Sequence, residues 1–204
     1  MKREEKNQQT KRRIMDSALK EFSEKGYGAS SVNAICSAQG ISKGIIYHYF
    51  DTKDSLFLSC IEECFVLLTE YLNCKMQNLK GSAKEQLEEY FSARLLFFVE
   101  NPVYQRIFCE AIISPPLHLK DEIEKARKEF DILNIGILQR ILSSVSLNPN
   151  IAVSEVIDTF RQFQDFINAK YQVMRLSESE FEEHEKSCKK ALDILLYGVV
   201  ERKE

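Results

Sequence analysis

Residues 40–57 read GISKGIIYHYFDTKDSLF and place two tyrosines, a histidine and two lysines within eighteen positions. Phenol, imidazole and ammonium groups all donate protons to oxygen, and together they suit the oxygens of a phosphodiester backbone. The spacing predicts a short helix over 43–49. On its wheel Ile46, Tyr49 and Phe50 fall within the width of a core-facing stripe, leaving Gly44, Tyr47 and His48 on the other side. Gly44 carries no side chain to hold the backbone away from a groove wall. The free amides at the helix start add a partial positive charge. Lys43 and Lys53 put a cation at each end. Ile45 points the same way without charge, and offers only an apolar surface, such as a thymine methyl would meet.

Such a helix needs others to hold it. Upstream, Ile14, Met15, Ala18, Leu19 and Phe22 form one stripe of a helix expected over about 8–25, which Gly26 ends. Ser30 and Ser31 supply N-cap oxygens for a second helix whose inward residues are Val32, Ile35 and Cys36. Ser30, read as the cap, would present that helix's N-terminus to a nucleic-acid backbone. Gly40 suits a left-handed turn, Ser42 caps the third helix, and a long fourth helix is expected from Lys53 to about Asn78. Three short helices with a glycine turn before the third make a helix-turn-helix pattern.

Beyond Gly81 the pattern lengthens. Helices are expected at about 83–100, 102–113, 118–144, 152–175 and 178–200, with breaks at Asn101-Pro102, Pro115-Pro116, Asn148-Pro149 and the stretch 177–180. The expected fold is all-α with about nine helices. A three-helix N-terminal domain over 1–52 would precede a larger helical bundle over 53–204.

Bulk composition agrees. The 204 residues are 44% hydrophobic and 29% charged, with only seven glycines and four prolines to interrupt helix. No apolar run reaches the roughly 20 residues of a membrane span, and the polar N-terminus lacks a signal-peptide pattern. A cytoplasmic protein with no membrane partner is expected. Net charge is −3, but residues 1–57 hold ten Lys/Arg against seven Asp/Glu, so a basic end sits on an acidic body.

The segment 26–57, GYGASSVNAICSAQGISKGIIYHYFDTKDSLF, closely resembles the DNA-binding domain of the TetR family of transcriptional repressors. The glycine-tyrosine entry, the cap serine, the apolar pair in the second helix and the SKGxxYHYFxxKxxLF run carry the resemblance, which covers about residues 8–58. It implies a homodimer with two helix-turn-helix heads on a near-palindromic operator, released by a small molecule bound in the larger domain. It assigns DNA-contact roles to Ser30, Ser42, Lys43, Tyr47, His48 and Lys53. Ile45 and Asp51 depart from the commonest family pattern, a small polar residue and a basic one.

The C-terminal half has no motif of comparable strength. Its aromatic residues suit a bundle core, and also the wall of an effector pocket built from Phe91, Phe98, Phe108, Phe130, Phe160 and Tyr171. Arg94 and Gln164, polar residues within apolar stripes, would orient the ligand. An unpaired Arg94 would select an anion; an Arg94 paired with an acid such as Glu110 would select neutral or cationic molecules. The stripe Phe181, His184, Cys188, Leu192, Leu195 and Val199, with Phe163 and Ile167 on the preceding helix, reads either as bundle core or as a dimer seam. The seam reading is taken here. Cys60 and Cys64, and His184 and Cys188, are four residues apart, but no further ligands at matching spacing accompany them, so no metal or other cofactor is expected. Two rivals remain: a DNA-binding adaptor without a ligand, and a helical-bundle enzyme. For the enzyme, no nucleophile beside a base and no phosphate-cradling loop is found.

Overall fold

The computed structural model describes residues 3–171 and 178–199, and among them every regular element is a helix. Ten α-helices follow in order: α1 (Arg3–Ala29), α2 (Val32–Gln39), α3 (Lys43–Tyr49), α4 (Lys53–Met76), α5 (Ala83–Glu100), α6 (Pro102–Ile112), α7 (Lys120–Ala126), α8 (Lys128–Leu142), α9 (Val153–Tyr171) and α10 (Glu178–Val199). A single 3-10 turn, Leu117–Leu119, precedes α7. The helix expected over 118–144 is divided at Arg127, whose φ of −90° and ψ of 0° end α7 before α8 begins. Neither glycine nor proline marks that break, which is why periodicity alone merges the pieces.

Two compact units result. The first takes residues 1–66 and 101–127, the second 67–100 and 128–204. The division falls within α4, between Val66 and Leu67, rather than at the expected boundary after residue 52. Residues 101–127 join the N-terminal unit because α6 packs along α1.

In the first unit Ile14, Ala18, Phe22, Ile35, Ile46, Leu56, Phe57 and Phe108 are at most 1% exposed and form the core. Phe22 and Phe57 meet edge to face at 4.9 Å. Three helices meet again at Glu63, on α4. It accepts a hydrogen bond from Arg12 of α1 at 2.6 Å and one from the Tyr104 hydroxyl of α6. Gly26, with φ 75° and ψ 167°, breaks the end of α1. That conformation belongs to glycine, and a Cβ there would lie 2.2 Å from Glu110 Oε1 and 2.6 Å from Arg106 Nη2. The close approach has a purpose. Glu110 accepts from the Tyr27 backbone N–H at 2.9 Å, while Arg106 donates to the Glu24 carbonyl at 2.8 Å. Both groups on α6 therefore satisfy backbone that the kink leaves unpaired.

The second unit packs α5 against α8 and α10, and α9 against α8 and α10. Its core includes Leu68, Leu72, Leu87, Phe91, Phe97, Phe98, Phe130, Ile141, Phe160, Phe181 and Leu192.

Candidate nucleic-acid interface

The three-helix head is built by local chemistry. Ser31, not Ser30, caps α2, its hydroxyl accepting from Ala34 N–H at 3.1 Å. Gly40 ends α2 in the left-handed region at φ 61°, and its N–H reaches back to the last carbonyls of the helix. Ile41 is buried and pins the turn. Ser42 then caps α3 by accepting from Ile45 N–H.

On α3, Ile46 is 1% exposed and Phe50, just beyond, 4%, while Lys43, Gly44, Ile45, Tyr47 and His48 all face solvent. This is the division expected from the wheel. Exposure of a large β-branched residue such as Ile45 (43%) costs the fold the burial it would otherwise gain. The far end of α3 is tied down by Tyr49, whose hydroxyl donates to Asn7 on α1. Arg13 donates to the Gln39 carbonyl at 2.9 Å, bracing the end of α2.

Two expected DNA contacts are placed differently. Ser30 is 6% exposed and turns its hydroxyl inward, donating to the carbonyls of Gly26 and Glu21. Its proton already serves the kink after α1, so Ser30 is a structural residue and Ser31 takes the exposed cap. Lys53 also turns inward. Its Nζ donates to the Ser30 carbonyl at 2.8 Å and lies 4.3 Å from the Tyr27 ring centroid. Tyr27 in turn donates to Asp54 and lies 3.2 Å from His118 Nε2. Burial, then the Asp54 carboxylate, push the Tyr27 phenol up to about 12. Sequence reading missed this cluster because Tyr27, Asp54 and His118 are remote in the chain.

The second unit holds the other polar constellation. Arg94, on α5, and Glu185, on α10, are 4% and 1% exposed and pair at 3.1 Å. The rings of Tyr90, Phe91 and Phe130 lie 5.6–5.8 Å from the guanidinium carbon. Tyr90 donates to Asn134, and His184 Nδ1 lies 3.3 Å from Glu185 Oε1. Burial raises the Glu185 carboxyl, but the Arg94 charge and His184 outweigh it, so the carboxyl lies below its ordinary value. The expected partner Glu110 is engaged in the first unit with Tyr27 and Arg106.

Of the expected pocket residues, Phe91, Arg94, Phe98 and Phe130 belong to this cluster or its margin. Phe98 meets Phe181 edge to face at 5.2 Å. Phe160 is buried and Gln164 half-buried on α9. Phe108 is not among them: it packs against Phe65 within the first unit, 5.8 Å between centroids. The Tyr171 side chain lies outside the described residues.

Several residues of the expected dimer seam lie in the core of the single chain. His184, Cys188 and Leu192 are each at most 2% exposed within the single chain, because this side of α10 packs against α5 and α9. Ile167 is also buried, at 9%, whereas Phe163 is 44% exposed. The side chains of Leu195 and Val199 lie outside the described residues. Phe166 (74%) and Ile194 (60%) join Phe163 as exposed apolar residues of α9 and α10. Phe163 and Phe166, three apart, were the available signal.

Cys60 and Cys64 are fully buried, and burial raises both thiols. Burial also pushes the Cys188 thiol up to about 12. Among the described residues no group of three His, Cys, Asp or Glu side chains could hold a metal ion, and no helix is long and apolar enough to cross a membrane.

Comparison with known proteins agrees with the geometry of the head. Residues 14–60 match the family described as bacterial regulatory proteins, tetR family. The biofilm operon icaADBC HTH-type negative transcriptional regulator IcaR of Staphylococcus epidermidis is 32% identical over 62 residues, 30% of this chain and 34% of that protein. The HTH-type transcriptional regulator YerO of Bacillus subtilis is 29% identical over 125 residues, 60% of this chain and 43% of the relative. The chain thus spans between a third and a half of the length of these relatives. Among solved structures, the transcriptional regulator FadR from Bacillus subtilis in complex with stearoyl-CoA shares the fold with a TM-score of 0.68 at 20% identity, over 92% of this chain and 98% of that one. The N-terminal domain is thus that of a TetR-family regulator, matched over residues 14–60.

Proposed function

We propose that the protein is a transcriptional regulator that binds operator DNA through α3 as a homodimer and is released by a small molecule held in the second unit. The observation that carries the reading is the exposed face of α3. It presents Lys43, Gly44, Ile45, Tyr47 and His48 together, held in place by the Ser42 cap and the buried Ile46 and Phe50. Lys43 and the Tyr47 hydroxyl meet phosphates, as does the amide end of α3, and Ile45 meets a base edge. Ser30 and Lys53 take a positioning role.

A second copy is proposed to cover Phe163, Phe166 and Ile194, giving two heads for a near-palindromic site. The relative IcaR is named a negative regulator, and this supports repression as the sense of control. The ligand complex of FadR supports control by a small-molecule effector. Such an effector must favour the conformation that cannot hold DNA, since equal affinity for both states shifts nothing.

The test is selection of bound duplexes from a random pool, followed by sedimentation of protein and complex. An inverted repeat bound by a dimer is expected, with Phe166→Glu giving a folded monomer of much weaker affinity. Failure to enrich any sequence, with the fold intact, would overturn the reading.

A further inference from the structure

We infer that Glu185 is the polar anchor of an effector site in the second unit, and that the effector is a neutral, largely apolar molecule bearing a hydroxyl-type hydrogen-bond donor. This rests on the reading of that unit as effector-binding. Glu185 is 1% exposed, and its two oxygens are unequally used. Oε1 faces both Arg94 Nη2 at 3.1 Å and His184 Nδ1 at 3.3 Å. Oε2 is buried with no hydrogen-bond partner. A carboxylate oxygen withdrawn from water and left without a donor is costly, and groups of this kind mark strain or a site for something else to bind.

The surroundings define what would bind. Arg94 balances the Glu185 charge, so the pair is already neutral. A carboxylate brought to Oε2 would meet the wrong sign and offer no proton. An ammonium would add an uncompensated charge beside Arg94 in a setting where burying charge is expensive. A hydroxyl supplies the missing donor and no charge, and a hydrogen bond to an ionised acceptor is among the stronger kinds. Phe98 and Phe181 on the margin of the cluster, and Phe91 and Phe130 around Arg94, are suited to an apolar body. The inference thus differs from the acyl-CoA of the FadR complex in asking for a donor rather than an anion.

The probes are 1-decanol, its methyl ether, decanoate and decylammonium, which share a tail and differ at the head. Binding to the full-length protein is read by calorimetry, and operator release is read separately by fluorescence anisotropy of labelled DNA. Decanol should bind about tenfold or more tightly than the ether, which keeps the oxygen but lacks the proton, and more tightly than either ion. In Glu185→Gln the amide oxygen stays toward Arg94, a donor, which turns the amide N–H₂ to the position of Oε2. The alcohol's advantage over the ether should then vanish or reverse, a change of order that simple destabilisation would not produce.

The chain has no tryptophan, so Phe181→Trp adds a unique fluorophore beside the site, and its emission should shift with decanol. Equal binding of alcohol and ether, tighter binding of decanoate, an unchanged order in Glu185→Gln, or no binding of decanol at all would each overturn the inference. Should Glu185→Gln fail to fold, the alcohol–ether comparison on Phe181→Trp decides the matter. Decanol bound in the expected order without release of DNA would support the site while refuting effector control in the proposed function.

Discussion

The two units handle polar chemistry in opposite ways. On α3 the side chains proposed to meet DNA stand in water, over the buried apolar side chains of Ile46 and Phe50. In the second unit Arg94, Glu185 and His184 are themselves the core, enclosed by aromatic rings. An exposed cation gives up little when removed, because water solvates whatever remains. A buried ion pair that loses one member leaves the other stranded. The same residue types thus act as a detachable surface in one place and as structural members in the other.

That contrast predicts a graded series of effects. The largest should come from Arg94→Leu, which strands the Glu185 carboxylate and should cost about 3–5 kcal/mol in denaturant unfolding. The double variant Arg94→Leu with Glu185→Leu should recover most of the loss, and a double variant no more stable than the single would refute the buried-pair account. The pair also sets an acid limit. The Glu185 carboxyl lies below its ordinary value in the folded chain, so its contribution is complete above the ordinary carboxylate range and lost as pH falls through the depressed value. Unfolding followed below pH 4.5, the unshifted value, should show a loss that the double variant lacks.

Next in size is Gly26→Ala, in the first unit. The positive φ and the crowding against Glu110 and Arg106 should cost about 1–3 kcal/mol. Thermal unfolding that matches the original chain would show the kink to be unimportant.

Smaller effects belong to the exposed face. Lys43→Ala should leave stability unchanged and lower the slope of log affinity against log salt by about 0.9 per head. An unaltered slope would remove Lys43 from the phosphate contacts. The smallest effect is expected from Ile45→Ala: similar affinity for bulk DNA, but a weakened preference for thymine at one position of each half-site, measured by repeating the selection. An identical selected sequence would show that Ile45 reads nothing.

Legibility followed the same division. The turn at Gly40, the Ser42 cap and the bounds of α3 were readable because each depends on residues within four positions. Ser30 and Ser31 were not separable by sequence. What separates them is that the Gly26 and Glu21 carbonyls lie within reach of Ser30, a result of the folded kink. Lys53 looked like a free cation until the Ser30 carbonyl and the Tyr27 ring were placed beside it. In the second unit the periodicity of α10 correctly grouped His184, Cys188 and Leu192 on one face, but a stripe does not say whether a neighbouring helix or another chain covers it. Arg94 stood out as a polar residue in an apolar stripe. Its partner did not, because Glu185 lies 91 residues away among many other glutamates.

The clasp of α6 on the Gly26 kink has a consequence for synthesis. The family match ends at residue 60, yet the compact unit that contains the head is completed by residues 101–127. On the ribosome the kink emerges first and waits for Arg106 and Glu110, 82 and 83 residues after the Glu24 and Tyr27 groups they serve. Until then the backbone at Glu24 and Tyr27 must be served by water. A head transplanted between relatives by cutting after α3 would carry the kink and leave behind the two side chains that hold it.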